Sequence, residues 1–240
     1  KCRQLFATVS DAIVVFDAET LRFVDVNEAA EELYGYSRAF GSDVGGIVGG
    51  FNFAGFQGVG AEPLEGMTIP HMLFAAFQMM FAIITPALIT GAFVERVRFK
   101  TFLIFSLLWA TLIYDPVCHW VWGAGGILGA DGLGALDFAG GTVVHITAGF
   151  SALAFALAIG PRKGFGRTSF EPSNIPYSVL GAGLLWMGWF GFNGGSALAA
   201  DGTAVHALFT TNTAAAAAGL VWMILSWIDN KPSVLGIVTG

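Results

Sequence analysis

Five long apolar stretches constrain this chain more than any other feature of its sequence. They cover residues 71–94, 101–128, 138–159, 175–198 and 204–228. A helix needs about 20 mainly apolar residues to cross a bilayer, and the helices of soluble domains are usually shorter. The pattern predicts an all-α polytopic membrane bundle with about five complete membrane helices. An interruption is expected near Asp115 and Pro116, and residues 234–240 are expected to begin a sixth helix.

The composition supports a membrane protein and indicates that the chain has two unlike parts. Hydrophobic residues make up 55% of the 240 positions and charged residues only 12%, about half the usual charged share of a soluble domain. The formal net charge is −6. Because no basic stripe is present, nucleic acid is not expected as a partner. Charged residues crowd into the first 40 positions, which marks a break in composition.

This break leads to a three-part organisation. Residues 1–38 have the pattern of a short α/β fragment, with strand-like runs at 12–16 and 22–26. Residues 39–70 are predicted to be a glycine-rich linker that contains the remnant of a membrane helix near its start. Residues 71–240 are predicted to form the membrane domain.

The positive charges alternate between successive loops. Basic residues follow the first, third and fifth stretches, and only acidic residues lie after the second and fourth: Arg96, Arg98, Lys100, Arg162, Lys163, Arg167 and Lys231 against Asp131 and Asp201. Cytoplasmic loops carry an excess of lysine and arginine. The loops after the first, third and fifth stretches are therefore predicted to be cytoplasmic.

Two ionisable residues in or beside the third stretch are functional candidates, because polar groups at membrane depth are costly. His145 could pass a proton or hold a polar substrate, or it could bond to a neighbouring helix for structure alone. Asp137 could favour cations at the outer mouth, or it could cap the free amides of the helix that it opens. The sequence leaves both pairs of interpretations open.

Aromatic residues from three stretches fall at similar depth on the predicted outer side. Phe77 and Phe81 are one helical turn apart and share a face. Trp122 lies near the outer end of the second stretch, and Phe192 and Ser196 share a face near the outer end of the fourth. Aromatic faces with a hydroxyl suit a small cation. On depth alone, however, an interfacial aromatic belt is the more frequent explanation.

Several motifs in order resemble the ammonium transporter (Amt/Mep/Rh) family. The run DFAGGTVVH at 137–145 is similar to a signature of that family. Further agreement comes from GAFVER at 91–96, HWVWG at 119–123, GWFGFN at 188–193 and KPSVLG at 231–236. The resemblance covers about residues 41–240. It implies the middle of an eleven-helix fold made of two inverted five-helix halves, a common transporter plan, without the second of the family's two pore histidines.

The resemblance implies a role for each candidate residue. Phe81, Trp122 and Ser196 match the family's outer ammonium-recruitment site, with Phe77 beside it, and Phe81 with Phe192 matches the phenyl gate below that site. His145 matches the first pore histidine, and Asp137 matches an acid whose role is structural or electrostatic. It also implies ammonium and ammonia as substrates, a homotrimer, a PII-type regulatory protein as a partner, and a multi-pass location in the cytoplasmic (inner) membrane.

An enzyme is not expected. The sequence shows no nucleophile–base arrangement, and the four histidines His71, His119, His145 and His206 lack metal-ligand spacing. We therefore expect no metal and no cofactor.

The N-terminal fragment leaves two alternatives to transport. The runs at 5–16 and 27–37 resemble the opening of a PAS sensory domain, for which no ligand is assigned. One alternative is therefore an ammonium sensor in a PAS-linked signalling protein. The other is a truncated chimera without function, in which an open bundle would expose polar groups to lipid.

Overall fold

A computed structural model describes the backbone at residues 6–9, 12–15, 34–229 and 231–240. Strands β1 (Phe6–Val9) and β2 (Ala12–Val15) fall in the predicted fragment, and β2 confirms the strand expected near residues 12–16. The strand predicted at 22–26 and most of the PAS-like run at 27–37 lie outside the described residues. The described remainder falls into two compact units, one ending at Phe165 and the other comprising Gly166–Gly240.

The first unit contains three helical stretches long and apolar enough to cross a bilayer. Helix α1 (Tyr36–Phe40) precedes a hairpin of β3 (Asp43–Val44) and β4 (Val48–Gly49), then a 3-10 turn at Ala54–Phe56. Helix α2 (His71–Leu88) runs on into a 3-10 turn at Thr90–Ala92. Helices α3 (Phe99–Trp109) and α4 (Asp115–Trp122) are joined by a π-helical segment, Ala110–Tyr114, and a second π-helical segment, Gly141–Ile146, opens α5 (Thr147–Ile159).

The second unit consists of helices alone in its described part. They are α6 (Ile175–Gly195), α7 (Gly202–Asp229) and α8 (Val234–Thr239). Asn174 caps α6 by accepting a hydrogen bond from the Tyr177 amide at 3.0 Å. With α6 and α7, the described chain has five membrane-length helices, which confirms the predicted helical membrane fold.

Two local features differ from the sequence predictions. The helix end expected over residues 41–50 is instead the β3–β4 hairpin, in which Asp43 is opposite Gly49. Gly45 and Gly46 at its tip have φ of 70° and 75°, a left-handed conformation that turns the chain and that glycine adopts without strain. The interruption expected near Pro116 is absorbed without a break, because the preceding π-helical turn adjusts the backbone where proline offers no N–H.

Helix α2 buries one face, which places the site residue Phe81. His71, Phe74, Gln78, Phe81 and Thr85 recur every three or four residues and are all buried, the spacing of one helical face. At the start of α2 the Tyr36 hydroxyl lies 2.8 Å from His71 Nε2. Burial raises the pKa of the Tyr36 hydroxyl, so it stays protonated and able to hydrogen-bond.

At the opposite end of α2, one arginine binds the ends of two spans. The Arg96 guanidinium donates hydrogen bonds to the carbonyls of Ala92 and Gly160, the residues that end the first and third spans. The last carbonyls of a helix have no partner within it, so one planar cation satisfies two ends. Arg162 also pairs with Glu95 at 3.0 Å.

We predict that Arg96→Ala lowers the stability of the detergent-solubilised chain because both carbonyls lose their donor. Arg96→Lys should lower it less, because an ammonium keeps donors but lacks the planar fork that reaches the two carbonyls. Hydrogen bonds from a charged donor contribute about 1.5–3 kcal/mol each. The measurement is the thermal midpoint in a mild detergent. Arg98→Ala, at a nearby arginine, is the matched control. An equal loss in the control would contradict the proposed binding of both helix ends.

Candidate functional site

Three aromatic rings of the first unit form a contiguous cluster. Phe77 and Phe81 lie edge to face with ring centroids 4.9 Å apart, which confirms their predicted shared face. Phe81 in turn meets Trp122 edge to face at 5.4 Å. Phe81 is 1% exposed, whereas Phe77 and Trp122 are partly exposed. The structure therefore brings together the three predicted site residues that come from the first and second spans.

Trp122 is tied to the start of the third span. Its indole Nε1 donates a hydrogen bond to the backbone carbonyl of Asp137 at 2.8 Å. This bond fixes the plane of the ring, because an indole has a single N–H donor. The partly exposed ring therefore has a set position beside Phe81.

The Asp137 carboxylate caps the third span, as one of the two interpretations of the sequence expected. Oδ1 accepts from the amides of Gly140 and Gly141 at 2.6 and 2.8 Å, and Oδ2 accepts from Thr142 and Val143 at 2.8 and 3.0 Å. All four free amides of this helix start are thus bound by one side chain. The Asp137 carboxylate therefore holds the start of the third span, and the backbone carbonyl of the same residue binds Trp122.

Gly140 allows this arrangement. Its φ of 93° is left-handed, and a Cβ there would lie 2.7 Å from Val144 Cγ2. Any other residue would therefore be strained and would clash with the first helical turn. The helix begins at Gly141, three residues after the predicted start, because the cap occupies residues 137–140.

His145 lies in the π-helical turn that follows this cap. Its backbone amide is bonded to the Gly140 carbonyl at 3.0 Å. The neighbouring Val143 and Val144 are fully buried, whereas the His145 side chain is exposed. The imidazole therefore lies on a different side of the helix from the residues that pack inside the first unit.

Phe192 and Ser196 belong to the second unit and share one face of α6. The Ser196 hydroxyl donates to the Phe192 carbonyl at 2.7 Å, and the Phe192 ring stacks on Trp189 with centroids 5.0 Å apart. Asn193 Nδ2 donates to Thr211 Oγ1 of α7 at 2.8 Å. The spacing that predicted a shared face for Phe192 and Ser196 is confirmed, and their roles as gate and hydroxyl ligand stay predictions.

His119, a buried histidine to which the sequence analysis assigned no site role, has two hydrogen-bond partners. His119 is 0% exposed, and its Nδ1 lies 2.9 Å from the Ala39 carbonyl while its Nε2 lies 3.0 Å from Asp43 Oδ1. The hydrogen bond from His119 is the largest cause that lowers the pKa of the Asp43 carboxyl. One feature of the sequence could have singled out His119: it is an ionisable residue inside an apolar stretch, and such a residue is a functional candidate by default.

A family model described as "Ammonium Transporter Family" matches residues 27–240. The match starts before residue 41, so it overlaps the end of the PAS-like stretch at residues 27–38. The chain is 53% identical over 207 residues to "Ammonium transporter Amt1" of Archaeoglobus fulgidus, which covers 86% of this chain and 50% of that protein. This chain therefore spans about half the length of the curated relatives that it matches.

Solved structures of ammonium transporter proteins are also similar to this chain. The crystal structure of Saccharomyces cerevisiae Mep2 matches with a TM-score of 0.81 and 38% identity, covering 89% of this chain and 50% of that one. A structure described as "Sensor Amt Protein" matches with a TM-score of 0.71 and 32% identity, covering 85% of this chain and 51% of that one.

We predict that Asp137→Ala destabilises the start of the third span, because four amides lose their acceptor. Loss of a capping side chain costs about 0.5–2 kcal/mol, and a charged acceptor places the cost toward the upper end. The measurement is the thermal midpoint together with hydrogen exchange at residues 140–143. Asp131→Ala, in the same loop and exposed, should change neither; faster exchange in that control would argue against the cap.

A second prediction concerns the stability of the fold at low pH and the part that Asp43 plays in it. Because the folded-state pKa of Asp43 is lowered from its ordinary value of 3.8, the carboxylate stabilises the fold above that value. This contribution is lost as pH falls through the lowered pKa. The difference between the thermal midpoints of the chain and of Asp43→Asn, measured from neutral pH down to about pH 3, should shrink once the pH falls below about 4. A constant difference would show that Asp43 does not titrate in this way.

Proposed function

We propose, from the premise that this chain belongs to the ammonium transporter family, that it forms part of a transmembrane pathway for ammonium and ammonia. The observation that carries the proposal is the edge-to-face series of Phe77, Phe81 and Trp122. Its faces offer the π surfaces that attract a small cation. No described group in this series supplies a full negative charge that would trap the cation.

The first step of the mechanism is capture with gradual loss of water. Aromatic faces replace part of the hydration shell of ammonium by cation–π attraction, and the Ser196 hydroxyl is the proposed hydrogen-bond acceptor. Potassium should be rejected, because so few oxygens are offered in place of its hydration shell.

The second step is loss of a proton. Moving ammonium into an apolar environment disfavours its charged form, so the proton leaves more readily. Ammonia then passes Phe81 and Phe192, the proposed gate, and reaches His145. A neutral imidazole in a pore can accept a hydrogen bond from ammonia or donate one to it, and it adds no fixed charge.

The assembly and the location extend this proposal. Chains of this family are expected to form a homotrimer with one pore per subunit, in the cytoplasmic (inner) membrane, with a PII-type protein as regulator. Within the first unit, the aromatic cluster and the cap of the third span are both formed by residues of one chain, without a contribution from a second copy. The trimer is therefore a separate proposal from the recruitment site, and a crosslinking or native mass measurement tests it.

A second candidate function is ammonium sensing. One similar structure is described as "Sensor Amt Protein", and residues 1–38 resemble a PAS domain opening. A sensor would bind ammonium at the same outer site and transmit a conformational change instead of supporting flux. The intact mass of the native protein tests this: PAS and kinase parts in a longer chain favour the sensor. A membrane domain alone favours transport.

We predict that His145→Ala, and Phe81→Ala combined with Phe192→Ala, alter ammonium uptake by the complete protein. Uptake of labelled methylammonium by cells that lack their own ammonium transporters is the measurement, with membrane abundance quantified in parallel. The matched control is Phe150→Leu, because Phe150 is exposed and lies in the third span, five residues after His145. Unchanged uptake in both site variants would contradict the assignment of these residues to the pore. An equal loss of uptake in the control would show that the effect is nonspecific.

A further inference from the structure

The bridge from His119 to Ala39 and Asp43 lies close to the aromatic cluster. We infer that His119, held by Ala39 and Asp43, is the residue that positions Trp122 in the outer aromatic site. This inference rests on the proposed function for its consequence in transport, and on geometry alone for its effect on Trp122.

The hydrogen bonds of the bridge define where the protons lie. A carbonyl oxygen only accepts, so the proton between His119 and Ala39 sits on Nδ1. Nε2 faces a carboxylate oxygen at 3.0 Å, and the lowered pKa of Asp43 favours its ionised form. Both ring nitrogens of His119 therefore face acceptors, one a backbone carbonyl and the other a carboxylate. A hydrogen bond to a carboxylate is about twice as strong as one between neutral groups.

The chain is shaped to let the bridge form. A Cβ at Gly123 would lie 2.3 Å from His119 Nδ1 and 2.7 Å from the Ala39 carbonyl oxygen. A Cβ at Gly125 would lie 2.9 Å from the Cβ of Asp43. Side chains at these positions would push the hairpin away from α4, so glycine is required at a close approach of two backbones.

The bridge acts on the site through the last turn of α4. His119 and Trp122 are three residues apart, which places them on neighbouring positions of one helical face. The final backbone bond of this turn joins the Gly123 amide to the His119 carbonyl at 3.0 Å. The bridge therefore fixes the helix end from which the Trp122 ring reaches Phe81 and the Asp137 carbonyl.

The bridge is distinct from ordinary packing in one testable respect. Asp43 is partly exposed and contacts neither Trp122 nor Phe81 through any described hydrogen bond, yet its removal should loosen the Trp122 indole. A purely local stabilising pair would leave the Trp122–Asp137 hydrogen bond unchanged as long as the protein stays folded. Hydrogen exchange of that indole N–H separates the two.

The test uses the full chain labelled with 15N-tryptophan in detergent micelles, with the Trp122 indole resonance identified by Trp122→Phe. We expect Asp43→Ala and His119→Gln to speed exchange of the Trp122 indole N–H by about tenfold. Asp43→Asn keeps an acceptor of the same shape without the charge, so its exchange should be slower than in Asp43→Ala. Ser42→Ala is the matched control, since it removes a hydrogen bond to Asn52 within the same loop region.

Each outcome decides the question. Native exchange in folded Asp43→Ala overturns the inference, as does equal acceleration in Ser42→Ala. If His119→Gln fails to fold, Asp43→Ala alone decides. In the complete protein, Asp43→Ala should raise the methylammonium concentration for half-maximal uptake more than it lowers the maximal rate, because capture precedes passage. If the unaltered protein shows no uptake, the proposed function fails while the indole measurement still judges the positioning role.

Discussion

The ends of the membrane helices are the constraint on which this structure depends. Inside a bilayer every backbone polar group needs a partner within the protein, and each helix leaves four amides and four carbonyls without one. The Asp137 carboxylate binds all four amides at the start of the third span. Arg96 binds carbonyls at the ends of the first and third spans. These two side chains fix the third span at both of its ends.

The aromatic site is built on the same helix ends. Trp122 ends the second span, and its indole is bound by the backbone of the residue that caps the third span. Phe81 contributes a ring from the buried face of α2. The residue that satisfies these backbone hydrogen bonds therefore also orients the Trp122 ring. Within the first unit the Asp137 carboxylate caps the third span, and an electrostatic effect of this carboxylate on a cation stays a prediction.

The sequence predicted shared helix faces better than contacts between distant segments. Helical spacing alone placed Phe77 beside Phe81, because residues four apart share a face. The link between Trp122 and Asp137 has no such periodicity, since a loop joins the two residues. The partners of His119 were not predicted for the same reason: Ala39 and Asp43 lie more than 70 residues earlier in the chain. The hairpin at residues 43–49 was also missed, because glycine-rich apolar stretches do not distinguish a helix end from a tight turn.

The sequence by itself determined the number and the approximate positions of the membrane-length helices in the described chain, because each stretch is long and apolar enough to cross a bilayer. It also indicated the family, through motifs spread over most of the chain. The tertiary structure decided which polar side chains bind helix ends, and it joined Asp43 to His119 and Trp122 to Asp137. The physical reason is that hydrogen bonds between distant segments depend on how helices pack, whereas crossing a membrane depends only on local composition.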